Sequence, residues 1–271
     1  MSIFEYAFFQ NALLGSLLAS ILCGFVGTYI VSRRLVFISG GFGGIGLGVF
    51  LGISPILGAM AFSILSAFGV QWMSHRADVR EDSAIAVFWT FGMSVGIICC
   101  FLTPGFMPDL SSYLFGSILT IGQSDLILLG VLTILTIIGF ALFYHQILSV
   151  AFDTVFARSQ HLPVALIEYA MMALIAMTIV STLRMVGVVL AISLLTIPQM
   201  TANTFTFNFK KIIALSIVIG WIDCLIGLFT SYLLNVPSGA SIIFVSIIVY
   251  ALLKWVHALV IKHHIEIEPA S

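Results

Sequence analysis

Charge is almost missing from this chain. Its 271 residues include ten Lys and Arg and eleven Asp and Glu, or 8% charged, against about a quarter in ordinary globular domains. A soluble protein of this length needs a polar surface that these residues cannot supply, so a soluble fold is excluded. A net charge of -1 leaves no basic patch, which excludes nucleic-acid binding. The four cysteines, Cys23, Cys99, Cys100 and Cys224, all lie inside apolar runs and read as buried thiols, not as a disulfide framework. The first ten residues carry Glu5 but no Lys or Arg, and the apolar run that follows reaches Val31, too long for a cleaved signal core. No Lys follows any Gly, so there is no phosphate-cradling P-loop. ATP, if it powers this protein, is bound by another subunit, and the chain itself holds no cofactor.

What fills the sequence instead is apolar. Hydrophobic residues make up 61% and mean hydropathy is +1.21. Runs of about 20 such residues match a hydrocarbon slab roughly 30 Å thick. The chain reads as an all-α polytopic membrane protein, one domain over 1–271 with about eight or nine transmembrane helices. Nine apolar runs are placed at Ala7–Val31, Leu35–Ile53, Pro55–Met73, Ser83–Thr103, Asp125–Ile147, Val164–Leu183, Met185–Ala202, Ile212–Leu234 and Gly239–Ile261. The stretch Ser111–Ser124 is moderately apolar and suits a short re-entrant or interfacial helix.

The scarce positive charges set the orientation. Arg33, Arg34, Arg76, Arg80, Arg158, Lys210, Lys211, Lys254 and Lys262 all fall on one side of this span pattern, with Arg184 alone opposite. By the positive-inside rule that side is the cytoplasm. The amino terminus is then outside and the carboxyl terminus inside.

Several residues stand out against the apolar background. Gly40, Gly44, Gly48 and Gly52 recur every four residues in the second run, a pattern for close helix crossing or for a helix lining a path with accessible carbonyls. Glu81 and Asp82 precede an apolar run, where acids complement a helix start. The longest cytoplasmic connection, Leu148–Pro163, reads LSVAFDTVFARSQHLP. Asp153 opens a stretch in which Val155, Phe156 and Arg158 form either a small amphipathic helix, suited to docking a motor subunit, or an ordinary surface loop. In the seventh run Thr196, Pro198, Gln199, Thr201 and Asn203 interrupt the apolar pattern. Pro198 removes a helical hydrogen bond, so these groups serve either a midplane ion site or interhelical hydrogen bonds. Asp223 is the one mid-span acid, and burying it in a bilayer costs about 2.5–3.5 kcal/mol on insertion scales. It faces a cavity, or it is protonated and hydrogen-bonded. No His, Asp, Glu or Cys pair inside the membrane has metal-ligand spacing, since the vicinal Cys99 and Cys100 do not share a helical face.

Six segments, in this order and spacing, carry a family likeness: VSRRLVFISGG at Val31–Gly41, EDSAIAVFWTFGMSVG at Glu81–Gly96, DLSSYLFGSIL at Asp109–Leu119, AFDTVFARSQHLPV at Ala151–Val164, LLTIPQMTA at Leu194–Ala202 and NVPSGASIIF at Asn235–Phe244. Over almost its whole length the chain resembles the membrane permease subunit of ABC importers for zinc, manganese or iron. The resemblance implies a bacterial inner-membrane permease that pairs with a second copy of itself, with cytoplasmic ATP-binding subunits and with an extracytoplasmic metal-binding protein. It also implies that Asp153, Phe156 and Arg158 belong to the ATPase-facing connection.

The likeness breaks in two places. Family members carry a His, often with an Asp one helical turn before it, near the start of the second span. Here Gly40 and Gly41 run directly into Phe42, about five residues or roughly 7.5 Å of helix short. His161 stands where the family usually has Gly. The metal ligands of this chain are therefore not given by the resemblance. Asp223 with Thr196, Gln199, Thr201 and Asn203 remains the candidate transport path. The alternatives are an assembly-competent permease without transport and an iron-chelate permease, whose chains are usually longer.

Overall fold

The computed structural model describes residues 7–33, 41–77, 81–103, 121–234 and 236–267. Gly40, Arg34, Arg80 and most of Ser111–Ser124 lie outside them. The described residues form helices and no strands: α1 (Ala7–Arg33), α2 (Gly41–Phe50), α3 (Pro55–Ala77), α4 (Glu81–Leu102), α5 (Gln123–Phe152), α6 (Thr154–Ser159), α7 (Val164–Phe205), α8 (Phe209–Leu234) and α9 (Ser238–Ile267). Helix is what a lipid solvent demands, because it satisfies every backbone group within the segment.

Among the described residues six helices are long and apolar enough to cross a membrane: Phe9–Arg33, Pro55–Met73, Gln123–Phe152, Val164–Leu183, Phe209–Leu234 and Ser238–His257. Ala84–Cys99 and Val189–Phe205 are shorter apolar helices. Of the second expected span, Leu35–Ile53, residues 41–53 are described, and helix α2 covers ten of them, about 15 Å of rise. It ends in a Schellman motif: Ile53 N–H donates to Gly48 C=O and Gly52 N–H to Val49 C=O, with Gly52 at φ +68°.

The sixth and seventh expected spans join as α7, whose 42 residues are broken at Gly187 (φ 78°, ψ 167°). Its two halves cannot be collinear. Glu168 bonds Arg33, and Gln199 bonds the Cys23 carbonyl. Those α1 residues are about 15 Å apart along the helix, whereas a straight α7 would hold Glu168 and Gln199 about 46 Å apart. The chain therefore folds back at Gly187, three residues beyond the charge at Arg184 where the sequence places the boundary.

Two groups of helices result. α1 and α7 lie at the centre of one, packed by α5, α8 and α9. α2, α3 and α4 pack together as the other and reach α7 chiefly through α3. The core of the first group is built from residues such as Leu22, Tyr29, Phe140, Met172, Ile175, Leu190 and Leu194. A small second cluster of Ile45, Ala59, Val180 and Leu183 joins α2 and α3 to α7.

Candidate transport path and coupling surface

Asp223 is fully buried in α8. Its face of α8 also carries Gly220 one turn before and Gly227 one turn after, at helical spacing. A Cβ at Gly220 would sit 3.4 Å from Pro198 Cγ and 3.6 Å from Ser20 Oγ, and one at Gly227 would run into the backbone of Ile242. The small residues thus let α1, α7 and α9 close around the acid. Its polar neighbour is the Ser246 hydroxyl of α9. Both carboxylate oxygens, Ser246 Oγ and Ser20 Oγ lack a hydrogen-bond partner within normal geometry. Unsatisfied polar atoms at full burial are rare in native proteins and call for a functional or ligand-based account.

The polar residues around Pro198 divide. Pro198 has no N–H to give Leu194 C=O, and Gln199 Nε2 fills that gap at 3.1 Å while also donating to Cys23 C=O on α1 at 2.8 Å. The carbonyl that sequence reasoning leaves open at Pro198 is therefore occupied. Gln199 stitches α7 to α1, and Gly27, whose Cβ would lie 2.6 Å from Gln199 Nε2, makes room for it. Thr196 and Thr201 bond back to Ile192 and Ile197 C=O within their own helix, each at 2.8 Å. Thr196, Gln199 and Asn203 share a helical face that Thr201 does not. Asn203 is exposed. Among the described residues Gln199 and Asp223 share no hydrogen-bond partner, and Pro198 packs against Gly220 between their helices.

The glycine ladder meets backbone. A Cβ at Gly44 or Gly46 would overlap the backbone of Gly58–Ala59 or Gly96, and one at Gly48 would lie 3.1 Å from Pro55 Cα. Gly44 and Gly48 thus face α3, and Gly46 faces α4. Gly52 has open space and serves the turn.

On the connection after α5, Asp153 is an N-cap: its Oδ1 accepts from Val155 and Phe156 N–H at 2.9 Å each. Six residues of helix follow. Ala157 is buried beneath it, while Phe152, Val155 and Phe156 are 65%, 77% and 52% exposed and Arg158 is exposed. The helix stops with His161 N–H donating to Arg158 C=O and Leu162 N–H to Ala157 C=O. This second Schellman motif holds His161 at φ 58°.

One arrangement was not apparent from the sequence. Arg33 pairs with Glu168, which is 3% exposed, and Gln71 Nε2 donates to its other oxygen at 3.0 Å. Three polar residues near the ends of apolar runs were the available signal, but nothing in their spacing pairs them. Among the described residues no three His, Cys, Asp or Glu come together as metal ligands.

Among the described residues six apolar helices long enough to cross a bilayer define a multi-pass membrane protein. The profile of the ABC 3 transport family matches residues 5–257, and the chain belongs to that family. It is 40% identical over 251 residues to an uncharacterized membrane protein of Synechocystis sp., covering 91% of this chain and 89% of that one. It is 32% identical over 255 residues to the manganese transport system membrane protein MntC of Halalkalibacterium halodurans, covering 92% and 87%. Its structure matches a chain of PsaBC from Streptococcus pneumoniae in complex with Fab, with a TM-score of 0.82 and 27% identity over 93% of this chain and 92% of that one.

Proposed function

We propose that this chain is the permease subunit of an ATP-driven importer of a divalent transition metal, with manganese the cargo best supported by its relatives. The family match over residues 5–257 carries the reading. ATP hydrolysis belongs to a partner subunit, which docks on the cytoplasmic face against Phe156, Arg158 and their exposed neighbours, with Asp153 capping that helix. An extracytoplasmic metal-binding protein delivers the ion, and two copies of the permease form the pathway. The chain crosses the bacterial inner membrane eight or nine times, amino terminus outside, with the shorter helices making up the count. Asp223, with Thr196, Gln199, Thr201 and Asn203, contributes to the ion path. Carboxylate, amide and hydroxyl oxygens suit manganese better than softer ions. Cellular manganese measured with and without the chain tests this reading. Uptake should appear with it and fall in Asp223→Asn; no difference with and without the chain would overturn it.

A second reading is favoured by the shortened second span. It lacks the His that the family resemblance leads one to expect, and α2 offers only glycine and apolar side chains. On this reading the chain assembles with its partners and moves little metal. Inserting five residues that include a His between Gly41 and Phe42 then restores uptake, because ligand and helical register return together.

A further inference from the structure

The Arg33–Glu168–Gln71 cluster is separate from Asp223 and joins three helices. Arg33 closes the last turn of α1, Gln71 lies in the last two turns of α3, and Glu168 is the fifth residue of α7. The positive charges put all three at the cytoplasmic end. Burying an ion pair in a low-dielectric junction confers little net stability over apolar residues of the same shape. Such a pair does hold its elements in one relative position, and it leaves an uncompensated charge when they separate. That is the behaviour of a two-state contact.

The cluster is also mechanically tied to α6. Ala157, on the inner side of α6, is fully buried. The turn after it bonds Leu162 N–H back to Ala157 C=O, and Val164 N–H and Ile167 N–H then bond to Leu162 and Pro163 C=O. A push on α6 therefore arrives at the first turn of α7, immediately before Glu168.

We infer that Glu168 is a positioning residue for ion release: with Arg33 and Gln71 it holds the inner ends of α1, α3 and α7 together, and displacement of α6 by the ATPase separates them. This rests on the permease reading above. The test uses the whole complex, permease with its ATPase, reconstituted in lipid. Glu168→Gln keeps the shape and removes the charge. The basal ATP turnover per assembled complex, without the metal-binding protein, should rise about tenfold, the equivalent of one charged hydrogen bond lost from the resting state. Gln71→Ala, which leaves the ion pair in place, should give a smaller rise in the same direction. Unchanged turnover in assembled Glu168→Gln complexes overturns the inference. Should that variant not assemble, unchanged turnover in Gln71→Ala overturns it. The readout needs no ion to cross. A wild-type complex that hydrolyses ATP but carries no metal would count against the cargo assignment, while the Glu168 result still stands on its own.

Discussion

The two helix groups draw on backbone and side-chain contact in different proportions. α2 meets α3 and α4 backbone to backbone at Gly44, Gly46, Gly48, Gly58 and Gly96. α1, α7, α8 and α9 meet largely through side chains, with Gly227 closing on the Ile242 backbone, and the contact includes polar groups: Gln199 bonded to two carbonyls, Glu168 bonded to two helices, and Asp223 beside the Ser246 hydroxyl. In lipid the first arrangement gains dispersion contacts at close range. The second gains hydrogen bonds that fix which faces oppose each other. Close glycine packing tolerates no added atom, whereas hydrogen-bonded packing tolerates added volume better than lost partners.

That contrast is broken most directly at Gly46. Gly46→Leu drives a side chain into the Gly96 backbone, which cannot rotate away as a side chain would. We expect a loss of about 3 kcal/mol, at the upper end for overpacking, read as lost yield of folded permease and a lower melting temperature in detergent. Gly130→Ala and Gly139→Ala, on α5 where nothing lies within 4 Å, should be neutral or slightly stabilising through helix propensity. Equal tolerance at Gly46 and Gly130 would show that the glycines of α2 are not contact residues.

In the other group the matching experiment removes a bond. Gln199→Leu keeps the volume and leaves the Cys23 and Leu194 carbonyls without their donor. We expect a cost of about 2 kcal/mol, the range for buried unsatisfied groups. Pro198→Ala supplies a backbone N–H to Leu194 C=O, so it should recover part of that loss in the double variant. Strict additivity of the two changes, measured by thermal unfolding, would mean that Gln199 does not compensate for the proline.

The difference between the two groups also decides what could be read in advance. Spacing alone exposed the glycine ladder, because a four-residue repeat is a property of one helix. Asp223 stood out because an acid in an apolar run is unusual wherever it packs. The fold-back at Gly187 was hidden by composition: Arg184 looked like the boundary, whereas the break needs a positive φ that Gly187 supplies three residues later. Glu168 reads in the sequence only as an acid near the start of its span, because its partners are 135 and 97 residues away and long-range pairing leaves no local mark. Gln199 was legible as polar, but its second bond arises from the missing N–H of its neighbour Pro198.

A smaller effect is expected at the connection between α5 and α7, where the contrast is between exposed and anchored residues of one short helix. Phe156→Ala removes exposed apolar surface and Arg158→Glu reverses a charge, and neither side chain is buried in the permease. Both should loosen co-purification of an ATPase, by about tenfold in affinity for one lost anchor, while permease levels and melting temperature stay as in wild type. Ala157→Leu, aimed into the buried side, should do the reverse and lower stability. Unchanged co-purification and coupled ATPase activity in both exposed variants would remove this helix from the interface.

The smallest effect is at His161, and it separates two reasons for a glycine. At Gly46 a side chain is excluded by the backbone of a neighbouring helix; at His161 a side chain is disfavoured by its own backbone. With φ at 58° and two Schellman bonds closing around it, this residue adopts the left-handed conformation in which a Cβ costs about 1–2 kcal/mol. Glycine removes that cost but loses about 0.5–1 kcal/mol to its greater freedom in the unfolded chain. His161→Gly should therefore stabilise the connection by about 0.5–1 kcal/mol, and His161→Asn by less, since Asn visits this region more readily than most residues. A melting curve of the purified permease reads it. A gain confirms that the turn sets the requirement at position 161, with the histidine present in spite of it. A loss would mean that the imidazole makes a contact within the permease worth more than the backbone strain.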